Sequence, residues 1–521
     1  MRQPNHIAPT AQDCGREARA SPDTIAFMPD LILAIDQGTT GTTALVVDRD
    51  GVARGRANVE FPQHFPKPGW VEHEPDEIWG SVLTAIEYAL ERAKAKGSDL
   101  AAIGITNQRE TTVVWDRKDL APIHRAIVWQ DRRTAPACAA LKARGLEAKV
   151  RTATGLVLDP YFSGTKVAYL LDHVQGARQR ANDGALVFGT IESYLVARLT
   201  SGAAHVSDVT NASRTLLLDL ASLSWSAEMC ELLGVPQSML PRVVGCAEVV
   251  GKTRGVRGLP DGIPIAGMAG DQQCALFGQT CFSIGDVKCT YGTGAFVLMN
   301  IGGAPTPSKH GLLTTAAWRL REGDPAVYAL EGSAFIAGAA VQWLRDGLGV
   351  IANAAEMEPL ARSVQDAGGV VFVPALVGLG APYWDPDARG LISGLTRGTT
   401  RGHLARATLE AIAHEVTDLV EAMSADSAAK LNRMRVDGGA SANGLLLELQ
   451  ASYAGVRVER PRDIETTARG AAMLAALGIG MAKDPDALRA WSSPDVVVEP
   501  AQHSVEAARA AWKKAVARAR S

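Results

Sequence analysis

The chain has 521 residues, of which 47% are hydrophobic and 21% are charged, and its formal net charge at pH 7 is −3. This length is too great for one hydrophobic core, so we expect two large domains or three smaller ones. The 53 basic and 56 acidic residues nearly balance, and no basic cluster stands out. We therefore do not expect the protein to bind nucleic acid.

The cysteine content and the hydropathy pattern indicate in which cellular compartment we expect the protein. Seven cysteines without a CxxC pair predict buried reduced thiols, and no histidine completes a zinc spacing, which suits a cytoplasmic protein. The longest helix-like apolar run, residues 470–482, is shorter than the roughly 18 residues that cross a bilayer. We therefore expect no membrane insertion.

The N-terminus differs in amino-acid composition from the rest of the chain. Residues 1–30 are polar, rich in proline and charge, and contain no apolar segment of the secretory kind. We interpret them as a disordered tail and Met28 as a candidate start, so a chain beginning at Met28 is expected to keep full activity.

The first predicted element is a hairpin, "LILAIDQGTTGTTALVVDRDG", which begins at Leu31 and carries Asp36 just before its Gly/Thr turn. Glycines let a backbone approach a ligand closely and adopt unusual φ, while N–H groups and threonine hydroxyls can donate to phosphate oxygens. Taken alone, an ordinary hairpin is the better interpretation.

A helix is predicted next, over residues 76–96, with Gly97 as its stop. Its apolar positions are Ile78, Val82, Ile86 and Leu90.

The following strand, in "ITNQRETTVVW" (residues 105–115), ends in four polar residues. Neighbouring strand residues point to opposite faces, so Arg109 and Glu110 cannot form a simple pair within a strand. The pattern leaves open what would hold an arginine and a glutamate side by side at a strand end.

One motif is dismissed as a phosphate site. "GCAEVVGKT" (residues 245–253) is similar to a P-loop, but five residues rather than four separate its glycines. Cys246 stands at the position where the motif requires its first glycine.

An acid follows the next predicted strand. "IPIAGMAGDQQCALFG" predicts a buried strand that ends at Gly270, then a helix, with Asp271 at the junction. Asp271 either caps the helix or faces a cleft, and these residues alone do not decide between the two. In a cleft, such a carboxylate could accept the proton of an attacking hydroxyl during phosphoryl transfer.

A second hairpin, "DVKCTYGTGAFVLMNIG" (residues 286–302), repeats the strand, Gly/Thr turn and strand, with Tyr291 before its turn where the first copy has an acid. Two copies about 250 residues apart indicate a duplicated domain that could clamp a polyphosphate from both sides.

The last predicted elements are a helix over residues 403–423, the strand "RMRV", and a loop over residues 437–443 before another helix. The alternation predicts an α/β fold with two layered domains. In open α/β sheets ligands bind at such loops, so Gly438 and Gly439 could admit a base or ribose and Asn443 could hydrogen-bond it.

The stretches "DQGTTGTT", "AGDQQ", "YGTG" and "VDGGASAN" together closely resemble the FGGY carbohydrate kinases. The resemblance extends over residues 31–515 and includes "PKPGWVEHEP", "DPYFSGTK", "TNASRT" and "GLGAPYWDP". It implies an α/β fold of two actin-like (ribonuclease H-like) ATPase domains, over residues 31–278 and 279–521, with an interdomain catalytic cleft.

Within that family the stretches lie nearest the members that use glycerol. The resemblance therefore implies ATP-dependent phosphorylation of glycerol to sn-glycerol 3-phosphate, the first step of glycerol catabolism. ATP and Mg²⁺ are the implied cofactors, and a homodimer or homotetramer is the implied assembly.

The resemblance also assigns residues to the acceptor site. Arg109 and Glu110 are expected to bind the glycerol hydroxyls, since a triol offers both donors and acceptors. Arg109 is expected to contact only the polyol, and Asp271 is the expected catalytic base. The remaining expected acceptor residues are Trp129 and Phe296 against the carbons, Tyr161 on a hydroxyl, and Gln272 beside Asp271 at the reacting end.

For the nucleotide, the resemblance implies contacts in both halves of the chain. Asp36 would hold Mg²⁺, through water, as a hard oxygen ligand. The expected nucleotide-binding residues are Thr39, Thr40, Gly41 and Thr293 at the phosphates, Gly338 and Gln342 nearby, and Gly439 and Asn443 at the adenine.

The chain departs from the family's bacterial pattern in four places. Thr43 stands where an arginine often follows the first hairpin, and Tyr169 stands where a tryptophan is usual. The loop "RGLPDGIPI" lacks the Gly-x-Arg that binds fructose 1,6-bisphosphate in regulated members, and "CAEVVG" lacks a histidine that is phosphorylated in some members.

Two alternatives remain from the sequence. One is an FGGY kinase for a pentulose or hexose derivative. The other is an actin-like ATP-binding switch or assembly protein, which would have no use for the Arg-Glu pair or the aromatic wall.

Overall fold

The computed structural model describes residue 1 and residues 29–427, 429–502 and 504–521. The predicted tail therefore lies almost entirely outside the described residues, and so does the candidate start at Met28.

The described residues form strands and helices that alternate along the chain. The strands are β1 Leu31–Gln37, β2 Gly41–Val47, β3 Ala53–Glu60, β4 Glu72–His73, β5 Leu100–Asn107, β6 Val113–Asp116, β7 Ala126–Ile127, β8 Leu186–Gly189, β9 Val206–Asp208, β10 Leu218–Asp219, β11 Ser224–Trp225, β12 Arg242–Val244, β13 Gly251–Lys252, β14 Pro264–Gly270, β15 Asp286–Tyr291, β16 Ala295–Gly302, β17 Leu313–Trp318, β18 Val327–Ala334, β19 Val371–Val373, β20 Leu391–Ser393, β21 Arg433–Asp437, β22 Val458–Pro461 and β23 Pro494–Val498.

The helices are α1 Pro75–Ala93, α2 Ala135–Ala143, α3 Glu147–Thr154, α4 Ser163–His173, α5 Ala177–Asn182, α6 Ile191–Leu199, α7 Val209–Ala212, α8 Ala227–Leu233, α9 Asp271–Gly278, α10 Gly338–Asp346, α11 Met357–Arg362, α12 Arg401–Ser427, α13 Gly444–Ala454, α14 Thr466–Gly478 and α15 Glu506–Ala519. None of them, within the ranges described, combines the length and the apolar character needed to cross a membrane.

Two large sheets have the same internal order. The first sheet is β13-β14-β5-β1-β2-β3 and the second is β17-β18-β16-β15-β21-β22-β23. In each, three strands joined antiparallel (β3-β2-β1 and β18-β16-β15) are extended by two parallel strands (β5-β14 and β21-β22). The predicted duplication is therefore confirmed at the level of sheet topology.

The register corrects one detail of the repeat. Asp36 lies opposite Thr106 in the first sheet, and Thr290 lies opposite Asp437 in the second. The second-copy counterpart of Asp36 is thus Thr290 and not Tyr291. Tyr291 is buried, and its hydroxyl donates to the side chain of Gln450 at 2.7 Å.

Opposite faces of the first sheet are covered by helices from distant parts of the chain. Leu33 and Ile35 belong to the core formed with α1, whereas Ile32 and Ala34 belong to the core formed with α14. The packing of α14 on this sheet is so close that a Cβ on Gly104 would overlap the carbonyl oxygen of Ala471. A helix from the C-terminal half therefore completes the N-terminal sheet.

Predicted helix ends differ from the observed ones for local reasons. The first helix ends at Ala93 rather than at Lys96, because Lys94 takes a left-handed φ of 53°. Gly97 is instead buried against the loop at Pro260, where an added Cβ would lie 2.6 Å from the proline ring. The helix predicted over residues 403–423 extends over Arg401–Ser427.

The dismissed P-loop and the cysteines agree with prediction. Residues 245–250 lie outside helices and strands and lead into β13, not into a helix. The six cysteines within the described residues are buried and unpaired.

Candidate active site

Asp271 begins α9 at the carboxyl end of β14. Gly270 is the N-cap, and among the described residues the one hydrogen bond to the Asp271 carboxylate comes from the adjacent N–H of Gln272, at 2.7 Å, so the interpretation as a helix cap is wrong. The side chain is 30% exposed. Burial raises the pKa of Asp271, and the positive charges of Arg109 and Lys288 oppose that rise. The geometry leaves a poorly solvated carboxylate free to meet a ligand.

Arg109 and Glu110 lie side by side because the backbone turns sharply after β5. Glu110 takes a left-handed φ of 60°, which is costly for a residue with a side chain. The buried ammonium of Lys166 secures this turn by donating to the carbonyls of Glu110 at 3.2 Å and Tyr161 at 2.7 Å. Arg109 Nε lies 3.7 Å from Glu110 Oε1 and 3.3 Å from Asp271 Oδ1.

Arg109 also forms hydrogen bonds with other residues of the protein. Its two terminal nitrogens donate to both carboxylate oxygens of Glu331, at 2.7 and 2.8 Å, and one of them also donates to Gln273 at 3.1 Å. Arg214 donates to Glu110 at 2.6 Å and to Glu331 at 3.1 Å. Arg109 therefore has several partners within the protein, and the expectation that of the two substrates it contacts only the polyol stays a prediction.

An aromatic wall stands beside these charges. The rings of Trp129 and Tyr161 meet edge to face with centroids 5.6 Å apart. The indole Nε1–H of Trp129 donates to Thr39 Oγ1 at 3.0 Å, so the wall is tied to the first hairpin turn. Phe296 lies on β16 of the second sheet, opposite Ser333 of β18, and is partly exposed.

Gln272, the residue after the acid, is held by a cation. The ammonium of Lys288 donates to Gln272 Oε1 and, at 3.1 Å, to Thr290 Oγ1. The Gln272 side-chain oxygen is thereby occupied. Its amide N–H groups are the part of the side chain left to face the cleft.

The two hairpin turns are closed by short backbone bonds. The Gly38 N–H donates to the Gly41 carbonyl at 2.9 Å, and the Gly292 N–H donates to the Gly294 carbonyl at 2.8 Å. None of these four glycines has a φ in the left-handed region, so the expectation of unusual φ is wrong here. Close approach explains Gly294, since a Cβ there would lie 2.5 Å from the carbonyl oxygen of Ala334, whereas a Cβ on Gly292 would meet its nearest neighbour at 3.7 Å.

The threonines of both turns reach solvent. Thr39 is half-buried, whereas Thr40 and Thr293 are exposed. The carbonyl of Thr293 accepts N–H groups from Ala337 at 2.8 Å and Ala339 at 3.0 Å, which joins the second turn to the start of α10. The side-chain hydroxyl of Thr293 therefore stands on a fixed backbone.

A cavity of about 540 Å³ lies beyond the second turn. Four of the eight residues expected at the nucleotide line its wall, namely Gly338, Gln342, Gly439 and Asn443. Gly338 lies so close to the second turn that a Cβ on it would come 2.6 Å from the carbonyl oxygen of Gly292. Leu409 and Ile412 supply apolar lining. The volume and the lining suit a flat heterocycle.

Asn443 has a local role as well. Its side-chain oxygen accepts the Leu446 N–H at 3.0 Å and caps α13. Its amide nitrogen has no hydrogen bond among the described residues, so it is the part of the side chain best placed to donate to a base.

Asp36 has the environment expected of a magnesium ligand. Burial, together with the negative charges of Asp271 and Glu465, raises the pKa of Asp36 to about 8. A cation there would relieve this crowding of carboxylates. Within the described ranges no group of three or more His, Cys, Asp or Glu could form a protein cage for a metal. Mg²⁺ usually takes one or two carboxylates with waters and phosphates, so the residues present fit it.

Comparison with known proteins agrees with this geometry. Residues 31–278 match the N-terminal domain of the FGGY family of carbohydrate kinases, and residues 287–479 match its C-terminal domain. The chain belongs to the FGGY family of carbohydrate kinases. The predicted division of the chain between residues 278 and 279 stays a prediction.

Several FGGY relatives are similar over nearly the whole chain. The glycerol kinase of Myxococcus xanthus is 57% identical over 490 residues, which cover 94% of this chain and 99% of the relative. Glycerol kinase 2 of Thermotoga maritima is 53% identical over 94% of this chain and 98% of its own length. The crystal structure of Plasmodium falciparum glycerol kinase with ADP has a TM-score of 0.89 and 34% identity, covering 94% of this chain and 98% of that one.

Sequence reasoning missed three buried residues of this FGGY site: Arg214, Lys288 and Glu331. Arg214 and Glu331 are each a single charged residue within a stretch of apolar and small residues, Lys288 lies two residues from Asp286, and all three are fully buried or nearly so. An isolated charge in such a stretch was the signal available, because buried charges are rarely left without a partner.

Proposed function

We propose that this protein transfers the γ-phosphoryl group of ATP to glycerol and produces sn-glycerol 3-phosphate. The observation that carries the proposal is the juxtaposition of Arg109 and Glu110 with Asp271, beneath the wall of Trp129 and Tyr161. A cation and a carboxylate together suit a neutral polyol, which both donates and accepts hydrogen bonds. The similarity to relatives named glycerol kinase supports the same acceptor.

In the proposed mechanism Asp271 accepts the proton of the attacking hydroxyl. Arg109 Nε, 3.3 Å from Asp271 Oδ1, orients the carboxylate, and the aromatic wall excludes water from the acceptor. Thr39, Thr40, Gly41 and Thr293 bind the phosphates from two sides. Asp36 would hold Mg²⁺, whose charge neutralises the phosphate oxygens when it is bound.

The remaining proposals concern assembly and setting. The family resemblance supports a homodimer or homotetramer in the cytoplasm, and light scattering on the purified protein would measure the assembly. The nucleotide's adenine is proposed to lie in the cavity lined by Gly439 and Asn443.

The test is a coupled assay of ADP release with Mg²⁺, with and without glycerol, and with a pentulose and gluconate in its place. We expect glycerol to give the highest kcat/KM. A preference for a sugar or sugar acid would overturn the acceptor assignment. ATP turnover that ignores every added acceptor would favour an actin-like switch protein.

A further inference from the structure

Glu331 connects the second sheet to the acceptor site. It lies on β18, and its carboxylate meets the Arg109 guanidinium in a two-bond fork of 2.7 and 2.8 Å. Such paired bonds fix the plane of the guanidinium as well as its position. Arg109 itself follows β5 of the first sheet. The contact therefore joins the two halves of the molecule.

The carboxylate is shared by two arginines. Arg214 donates to the same Glu331 Oε1 at 3.1 Å, and the side chains of Glu331, Arg109 and Arg214 are 3%, 2% and 0% exposed. Burial favours the neutral form of Glu331, but the two arginines outweigh it and lower its pKa to about 2. Together with Glu110, the group contains two positive and two negative charges.

This arrangement limits what Arg109 can offer a ligand. Both terminal nitrogens are committed to Glu331, and one also donates to Gln273. The less tightly bound N–H groups are the one on Nε, which lies 3.3 Å from Asp271 Oδ1 and 3.7 Å from Glu110 Oε1, and the one in a weak 3.4 Å contact with the Tyr161 hydroxyl. Both of these point to the acceptor side. The Glu331 fork therefore decides which edge of the arginine faces the acceptor.

We propose that Glu331 is a positioning residue of the acceptor site, which holds Arg109 from the second sheet and makes acceptor affinity depend on how the two sheets are placed. This inference rests on the proposed function. Glu331 would contact neither the acceptor nor the nucleotide, and it would act through Arg109.

The test compares Glu331→Gln with Glu459→Gln. Glu459 is also a buried carboxylate on the second sheet that pairs with arginines, closely with Arg433 and Arg435 and at 3.9 Å with Arg457, but it lies on β22 and outside the proposed site. We expect Glu331→Gln to raise KM for glycerol by roughly tenfold or more, which is the loss of affinity typical when a side chain that orients a directly binding residue is removed. KM for ATP should stay close to that of the unsubstituted protein in both variants.

A conservative variant separates charge from folding. Glu331→Asp keeps the charge but is one methylene shorter, so it should recover part of the glycerol affinity, and it replaces Glu331→Gln as the test if the latter does not fold. If both variants at Glu331 leave KM for glycerol unchanged, or raise it no more than Glu459→Gln does, the inference is overturned while the proposed function stands. If the unsubstituted protein does not phosphorylate glycerol, both fall.

Discussion

The carboxyl of Asp271 is poised between two opposing influences. Burial raises its pKa, and Arg109 and Lys288 oppose that rise, so the group is neither a solvated surface acid nor a permanently neutral one. A general base needs to bind a proton well enough to remove it from a hydroxyl and still be ionised before the reaction. The charges around Asp271 suit that task.

Replacement of Asp271 by asparagine should remove turnover and spare binding. The amide has the same shape but cannot take the proton, and loss of a general base costs roughly 10²- to 10⁴-fold in rate. Single-turnover kinetics would measure the rate, and calorimetry with glycerol would measure binding. A purified, folded variant with near-normal kcat would contradict the role given to Asp271.

The pH dependence of kcat/KM follows from the same carboxyl. Asp271 works as a base only when it is deprotonated, so kcat/KM should rise with pH through its pKa and level off above it. Because burial raises that pKa above 3.8, the increase in kcat/KM should occur at a higher pH than the one at which an ordinary aspartate titrates. The profile should be recorded at saturating Mg²⁺. Activity that stays constant down to pH 4 would rule this out.

Trp129 has two separable contributions, a flat wall and a hydrogen bond to Thr39. Trp129→Ala should enlarge the pocket and weaken discrimination between glycerol and longer polyols. Trp129→Phe should keep the discrimination and lose only the hydrogen bond, worth about 1 kcal/mol. Values of kcat/KM for glycerol, a four-carbon and a five-carbon polyol would measure this. Equal loss of selectivity in both variants would show that the wall does not set acceptor size.

At the scale of elements, α9 and α14 come together without room for side chains. A Cβ on Gly470 of α14 would overlap the carbonyl oxygen of Cys274 in α9, and a Cβ on Gly278 of α9 would overlap the carbonyl oxygen of Thr466 in α14. These helices occupy corresponding places in the two halves, each following the last parallel strand of its repeat. Their contact fixes α9, which carries Asp271.

Gly470→Ala should therefore destabilise the protein by about 1–3 kcal/mol or more, because overpacking forces the helices apart. The matched control is Gly80→Ala in α1, where an added Cβ meets nothing within 4 Å. That change should be neutral or stabilise by up to about 1 kcal/mol, since alanine favours helix. Urea denaturation would measure both. A Gly470→Ala protein as stable as the control would refute the close packing.

The loop at residues 258–262 belongs to the same scale and bears on regulation. Pro260 has no N–H to donate, and Asp261 adds a negative charge and already accepts the Gly255 N–H at 2.7 Å. A bisphosphate needs fixed cationic groups, and residues 258–262 contain neither lysine nor arginine; the arginines just before the loop are Arg254 and Arg257.

We therefore expect an enzyme insensitive to fructose 1,6-bisphosphate. Activity would be titrated with this compound at saturating ATP and glycerol. Saturable inhibition that Arg257→Ala removes would show that the site has been rebuilt from other residues.

Sequence allowed some of these elements to be predicted and hid others. The two hairpins and the strand before Asp271 could be predicted, because each is defined by a short stretch of adjacent residues. The contact of Arg109 with Glu331 spans 222 residues, and no local pattern indicates which distant strand lies opposite. The φ of Glu110 was hidden for the same reason, because tertiary contacts from Lys166 hold it.

At the scale of the whole molecule, two copies of one sheet topology both contribute residues to the candidate site. The first copy contributes Asp36, Arg109 and Asp271, and the second contributes Glu331 and the cavity at Gly439. The proposed acceptor residues and the proposed nucleotide cavity thus belong largely to different halves. In the proposed reaction, transfer between them would depend on how the halves are held together, and both the Glu331 fork and the α9–α14 contact join the halves.

The position of α14 has a consequence for biosynthesis. Ile32 and Ala34 of the first sheet are covered by Ala471 and its neighbours, which a ribosome adds hundreds of residues later. A nascent chain that has completed β14 still exposes one apolar face of that sheet to water, and exposed apolar surface of this kind favours aggregation. The N-terminal half must therefore wait, partly open or sheltered by a chaperone, until residue 478 has left the exit tunnel.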